Sequence, residues 1–517
     1  MENTLNLYGK QRARRSLLQT ATFRVLSQVA TLLSTIALVR GMSEHDFGVL
    51  SLLYAFIPVV STFASLGLEQ TLRRYQPEYL RTGNLAGASW LLRVIVTGRL
   101  LTNVLVIGIV LLAWQWVAPI FHIDPYRFEF ILFAVVVLLH FQTRIMQLAL
   151  GSHMLHGYAV GCFALLPAMK FVGYMVLIWQ HQFTLKAAIL VDTVAYGVAY
   201  AGLFYAQWKY CRPPPGSGSF RPTPEDRKRF ISYGFYNNFN DAGSFLLTTR
   251  SDNFFIAALI NPVAVGAYAF YTRLNEMLAN ASPTRLFENV INPLFFATPP
   301  EEAKKRIPRY FTLMINTSLL LQWPVLVFTF AYNREIVDLM FAGKFREYSS
   351  LLPMIVAFST CNLFSIPSTL AAQYAEKARI ILFSKVFSIS QVVLIIMLLP
   401  KFGIYGATIA GGVSNILKNG FIWWHVRDTA RWLNMRSVLV WGFLVWGVAL
   451  AVCEGLKHIL PAPQIVHIIM GAAVCGVAWL VYVRTPALSP SDREILGGVL
   501  KGKEARILRL SGLLPAK

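Results

Sequence analysis

Apolar segments of about twenty residues recur from one end of this chain to the other, each long enough to cross a hydrocarbon core about 30 Å thick. In lipid a backbone must satisfy its own N–H and C=O groups, so a chain built of such segments folds as a bundle of spanning helices. The composition agrees: 56% of the 517 residues are hydrophobic and only 14% are charged. The expected class is an all-α polytopic membrane protein of about 14 transmembrane helices. The spans are expected at 17–39, 47–69, 90–117, 128–150, 158–180, 184–208, 230–258, 263–281, 308–331, 351–375, 378–400, 402–426, 437–456 and 464–483.

A net charge of +22 would suit a nucleic-acid binder, but the basic residues lie in short clusters between spans. Lys10/Arg12/Arg14/Arg15, Arg73/Arg74/Arg81 and Lys209/Arg212/Arg221/Arg227/Lys228/Arg229 fall in alternate connections. Lys304/Lys305/Arg306/Arg309, Lys377/Arg379 and Arg427/Arg431/Arg436 continue the series. Positive-inside topology accounts for this and places both termini in the cytoplasm, with no nucleic acid as partner. Met1–Arg15 is polar and basic, and the apolar run after it lacks a small-residue cleavage site, so no signal peptide is expected. Cys162, Cys211, Cys361, Cys453 and Cys475 are scattered without a C-x-x-C pair. Neither a disulfide framework nor a metal site is expected, and no cofactor.

The two halves of the chain resemble each other. EHDFGVLSLLYAF pairs with INPVAVGAYAFYT, APIFHIDPYRFEFILFAV with DLMFAGKFREYSSLLPMI, and FTLKAAILV with FGIYGATIA, all at an offset of about 220. Six spans per half is an even number, so the repeats point the same way across the membrane. The expected organisation is a six-helix bundle over 1–208, a cytoplasmic Pro/Gly-rich linker over 209–229 and a second bundle over 230–427. Helices 13 and 14 follow over 428–483, and a basic cytoplasmic tail over 484–517.

Polar residues within spans are costly, roughly 2.5–3.5 kcal/mol per charge, and so point to function. Asn237, Asp241, Ser244, Thr248 and Asp252 recur at helical spacing and share one face of helix 7. Ser, Thr and Asn also serve as interhelical glue; the two carboxylates favour a water-filled cavity. Arg24, Gln28, Thr31 and Thr35 form a similar stripe on helix 1, and helix 8 adds Arg273 and Glu276. Arg24, Arg250 and Arg273, at three depths, can pass an anionic group across the membrane. Each has a plainer alternative: Arg24 snorkels to headgroups, Arg273 pairs with Glu276, and Arg250 reaches the outer surface. The candidate substrate-binding residues are therefore Arg24, Gln28, Asn237, Asp241, Arg250, Asp252 and Arg273. The candidates for ion coupling are Asp241, Asp252 and Glu276. Lys170, Asp192, Lys385 and Lys418 are further buried candidates, read as local pairs or interfacial anchors. No phosphate-cradling Gly loop or nucleotide fold is present, and no enzymatic activity is expected.

LVRGMSEHDFGVLSLLYAFIPVVSTFASLGLEQTLRRY resembles the helix 1–2 region of Wzx-type oligosaccharide flippases of the MOP exporter superfamily. SDNFFIAALINPVAVGAYAFYTRL, REIVDLMFAGKFREYSSLLPMI and EKARIILFSKVFSISQVVLIIMLLPKFGIYGATIAGGVSNIL extend the resemblance over most of residues 15–425. It implies two pseudo-symmetric six-helix bundles around a central cavity lined by helices 1, 2, 7 and 8. It also implies alternating-access flipping of polyprenyl-diphosphate-linked oligosaccharide, a polysaccharide precursor, from inner to outer leaflet of a bacterial inner membrane. Polysaccharide polymerase and other assembly proteins are implied partners, besides membrane lipids. In the related lipid II flippases, arginines on helices 1, 2 and 8 line the cavity. Arg24 and Arg273 fit helices 1 and 8, whereas helix 2 (Phe47–Leu68) carries no basic residue. Asp252 matches an acidic position on helix 7. The alternative is a cation-coupled exporter of drugs or small solutes from the same superfamily. A membrane scaffold that assembles glycosyltransferases is a third reading.

Overall fold

A computed structural model describes residues 10–153, 155–212, 220–245, 249–280, 300–490 and 492–493. Among these the regular structure is entirely helical. Among the described residues, ten helices are long and apolar enough to cross a membrane, and Leu26–Gly41 is a shorter apolar one. The expected class stands; the count of fourteen spans is not reached by length and composition alone. The chain forms two compact units, Met1–Ala269 and Phe270–Lys517.

The first unit holds α1 (Lys10–Gly41), α2 (Glu44–Ser65), α3 (Leu68–Arg81), α4 (Leu85–Leu112), α5 (Arg127–Ser152), α6 (His156–Trp179) and α7 (Leu185–Tyr210). It continues with α8 (Pro224–Phe245), α9 (Thr249–Leu259) and the start of α10 (Pro262–Asn280). The helices begin where their caps dictate. The Ser43 hydroxyl accepts from Asp46 N at 3.1 Å, with Glu44 and Asp46 in the first turn of α2. The Asn84 side chain accepts from Gly87 N at 2.8 Å and opens α4. At the Asn261-Pro262 break, Asn261 Oδ1 accepts from Ala264 N at 2.8 Å, with proline at the first helical position. α1 packs on α6, α5 on α7, and α2 on both α8 and α9.

The second expected span is shorter than the apolar run suggests. The second was expected to run to residue 69, but α2 ends at Ser65, and Leu66 (φ 45°) and Gly67 (φ 73°) are left-handed. A helix cannot continue through that conformation. Gly67 is also required by space, because a Cβ there would lie 2.0 Å from the carbonyl oxygen of Gly234 on α8. After this break α3 is amphipathic, burying Leu72, Tyr75 and Leu80 against α4, α5 and α8. A second close approach joins the other end of α2 to α10: a Cβ on Gly48 would lie 1.9 Å from the Pro262 carbonyl oxygen.

The second unit holds α11 (Pro300–Phe341), α12 (Leu351–Cys361), α13 (Ser365–Tyr374), α14 (Phe387–Phe402), α15 (Ile404–Val426), α16 (Met435–Ile459) and α17 (Gln464–Arg484). α11 kinks at Tyr332 (φ −122°, ψ 26°). The last two helices, outside the sequence repeat, dock on α11. Trp446, Tyr482 and Val483 join its Phe311 and Ile315 in one core, and the Tyr332 ring fills the gap left by Gly471. The tail beyond residue 493 lies outside the described residues.

Candidate functional site

The sequence candidates separate. Arg24 lies on α1, and Asn237 and Asp241 on α8, but their side chains are outside the described residues. Gln28 is exposed on α1, and Arg250 is exposed at the start of α9. Asp252, two residues on, is fully buried and accepts from the Tyr268 hydroxyl of α10 at 2.7 Å. On α10, Arg273 is half-buried and Glu276 exposed. Among the described residues these two form no ion pair with each other.

Two polar clusters lie inside the first unit: one was not foreseen, and the other joins Lys170 and Asp192, two of the buried candidates read as local pairs. In the first, Glu69 opens α3 and meets two arginines from different helices. Its Oε2 accepts from Arg144 Nε of α5 at 3.2 Å, and its Oε1 lies 3.6 Å from Arg99 Nη2 of α4. Arg99 has no exposed surface, and its guanidinium stacks on the Phe141 ring at 4.3 Å. Asn103, one turn further along α4, is equally buried. No side-chain nitrogen of Arg99, and neither amide atom of Asn103, makes a hydrogen bond among the described residues.

The second cluster is fully paired. Asp192 of α7, with no exposed surface, stands 2.9 Å from Lys170 Nζ of α6. It also accepts from the Tyr174 hydroxyl at 2.5 Å and from the Tyr54 hydroxyl of α2. Lys170 in turn donates to Tyr54 at 2.7 Å and lies over the Tyr196 ring at 4.9 Å. His140 Nδ1 of α5 is 3.2 Å from the Tyr196 hydroxyl. Every oxygen of the carboxylate is used, which is what makes a buried ion pair tolerable.

His140 links the two clusters. Arg144 follows it by one helical turn on the same face of α5. At Glu69, Arg144 is accessible and Arg99 lies fully buried behind it. Such an arrangement suits a polyanionic headgroup, since arginine presents a planar fork to phosphate oxygens.

Known proteins share this architecture. A lipid II flippase, MurJ, in an inward closed conformation matches with a TM-score of 0.66 at 11% identity, covering 90% of this chain and 98% of that one. An inward-facing multidrug resistance MATE family transporter of the MOP superfamily matches with a TM-score of 0.61 at 15% identity, over 78% of this chain and 94% of that one. A MATE structure in the bent conformation gives 0.55 at 14% identity, over 83% and 98%. At these identities the likeness is one of fold. No curated protein sequence matches the chain. The model of one family, described as polysaccharide biosynthesis protein, matches residues 14–295, which take in both polar clusters and the whole of α2 to α10. With over half of its length matched and the fold in agreement, the chain belongs to the polysaccharide biosynthesis protein family.

Proposed function

We propose that this protein is a flippase that carries polyprenyl-diphosphate-linked oligosaccharide from the inner to the outer leaflet of a bacterial cytoplasmic membrane by alternating access. The observation that supports the reading is the pair of arginines, Arg144 accessible and Arg99 buried, that meet at Glu69 within membrane helices of a polysaccharide biosynthesis protein. A diphosphate headgroup with sugars attached is large, polar and anionic, and crosses a bilayer only along a wet cationic path while its tail stays in lipid. Moving two negative charges outward across an inside-negative membrane is favourable by about 4–5 kcal/mol per 100 mV. Transport therefore needs no ATP hydrolysis by this chain.

Arg24, Gln28, Asn237, Asp241, Arg250 and Arg273 are assigned to the substrate path, now with Arg144 and His140. Asp241, Asp252 and Glu276 are the carboxylates for an ion, should transport be coupled. Both termini are placed in the cytoplasm, and a polysaccharide polymerase is the expected recipient of the product. The test is a lipid extract from cells depleted of the protein, with sidedness read by a membrane-impermeant sugar-binding probe. Lipid-linked oligosaccharide accumulating beyond the probe's reach, with surface glycan lost, is the expected result. Unchanged lipid pools with altered drug susceptibility would instead make the protein a solute exporter.

A further inference from the structure

Glu69 occupies the place an anion would take. It lies between two guanidiniums, Arg144 at 3.2 Å and Arg99 at 3.6 Å, so the trio carries one positive charge in excess. The fit is incomplete on the buried side, where Glu69 Oε1 and all three Arg99 nitrogens lack a hydrogen bond among the described residues. Removing a guanidinium from water is expensive unless its donors are used, so the cluster holds unspent capacity for an anion. The accessible side is different. Arg144 is half-exposed, and it shares its face of α5 with His140, one helical turn away.

We propose that Glu69 is a built-in counter-anion that holds Arg144 while the protein is empty and is displaced from it by the diphosphate of the lipid substrate. This inference rests on the flippase reading. A singly charged phosphodiester gains little by replacing a carboxylate already in place, whereas a diphosphate brings more charge and can meet the guanidinium fork with two oxygens. Glu69 thereby sets a threshold that ordinary anionic phospholipids, in large excess, do not pass. Selectivity comes from a competitor inside the protein as much as from attraction to the substrate. When Glu69 yields Arg144 it keeps Arg99 as partner, so the buried charge is never left alone.

The test uses the full chain in nanodiscs, with binding of polyprenyl diphosphate, inorganic pyrophosphate and phosphatidylglycerol measured separately. Glu69→Gln should bind polyprenyl diphosphate about tenfold more tightly than wild type, the ratio that a competing charge of modest strength sets. Pyrophosphate should show the same gain, and phosphatidylglycerol should begin to compete. Because Glu69→Gln leaves Arg99 uncompensated, Glu69→Asp serves if the first variant does not fold: it keeps the charge but is one methylene too short to hold Arg144. Wild-type affinity in a folded Glu69→Gln or Glu69→Asp protein overturns the proposal, as does a gain seen only for phosphatidylglycerol. If wild type itself binds neither diphosphate, the flippase reading fails and takes this inference with it.

Discussion

Lys170 and Asp192 stand 2.9 Å apart on neighbouring helices, both buried, with the carboxylate wholly enclosed. Together with Tyr54 and Tyr174 they tie α2, α6 and α7 at a single carboxylate. Removing one partner leaves an uncompensated buried charge. Lys170→Met and Asp192→Asn should each destabilise the protein by about 3–5 kcal/mol. The double variant, with both charges removed, should recover much of that loss. Thermal unfolding in detergent of the two single variants and the double variant checks this; additive losses would show that the pair is not coupled.

The glycines of α2 and α4 should respond in opposite senses to the same substitution. Gly48→Ala places a carbon 1.9 Å from the Pro262 carbonyl oxygen and must push α10 away. Gly108, inside α4, has nothing within 4 Å of the same position. Gly108→Ala should stabilise by about 0.5–1 kcal/mol through helix propensity alone. Melting temperatures of the two purified variants, lower and higher than wild type respectively, are the readout.

Arg250 is exposed and makes no ion pair among the described residues. Its replacement should spare the fold and strike transport. Arg250→Gln is expected to lower flux of lipid-linked oligosaccharide about tenfold, the equivalent of one phosphate contact of about 1.4 kcal/mol. Arg250→Lys should retain part of it, as a point charge without the fork. Flux into the outer leaflet of proteoliposomes measures both; an unaltered rate for Arg250→Gln would remove this residue from the path.

His153 follows the last residue of α5, and burial lowers its pKa from 6.5 to about 4. The unfolded chain therefore binds more protons than the folded one between these values. The stability associated with neutral His153 is complete above pH 6.5 and is lost as pH falls through 4. Unfolding midpoints recorded from pH 7 to pH 4 should fall less steeply for His153→Gln than for wild type.

Helix positions were legible because length and apolarity within a bilayer leave little choice, and because Ser43, Asn84 and Asn261-Pro262 mark their starts locally. The break at Leu66–Gly67 was hidden, since Leu66 and Leu68 extend the apolar run. Only the approach of Gly234, from a distant helix, explains it. The Glu69 cluster was hidden for the same reason, whereas Lys170 and Asp192 stood out in the sequence as buried candidates for local pairs. Glu69 and Arg144 are 75 residues apart, and no spacing rule links them. Arg99 and Arg144 were nonetheless visible as single charges inside apolar spans, a signal that helical periodicity on helices 1 and 7 overshadowed. Arg250 was noticed for its depth, but its neighbours could not be.

The close approaches of Gly67 to Gly234 and of Gly48 to Pro262 bear on how the chain is made. Helices α1 to α7 leave the ribosome first, yet the surfaces of α2 that receive α8 and α10 stay unfilled until residues 224–269 have been synthesised. The first unit therefore completes its packing only after about half of the protein has entered the bilayer. A ribosome stalled within residues 213–219 would leave a nascent bundle with an open seam along α2, exposed to whatever assists or degrades unfinished membrane proteins.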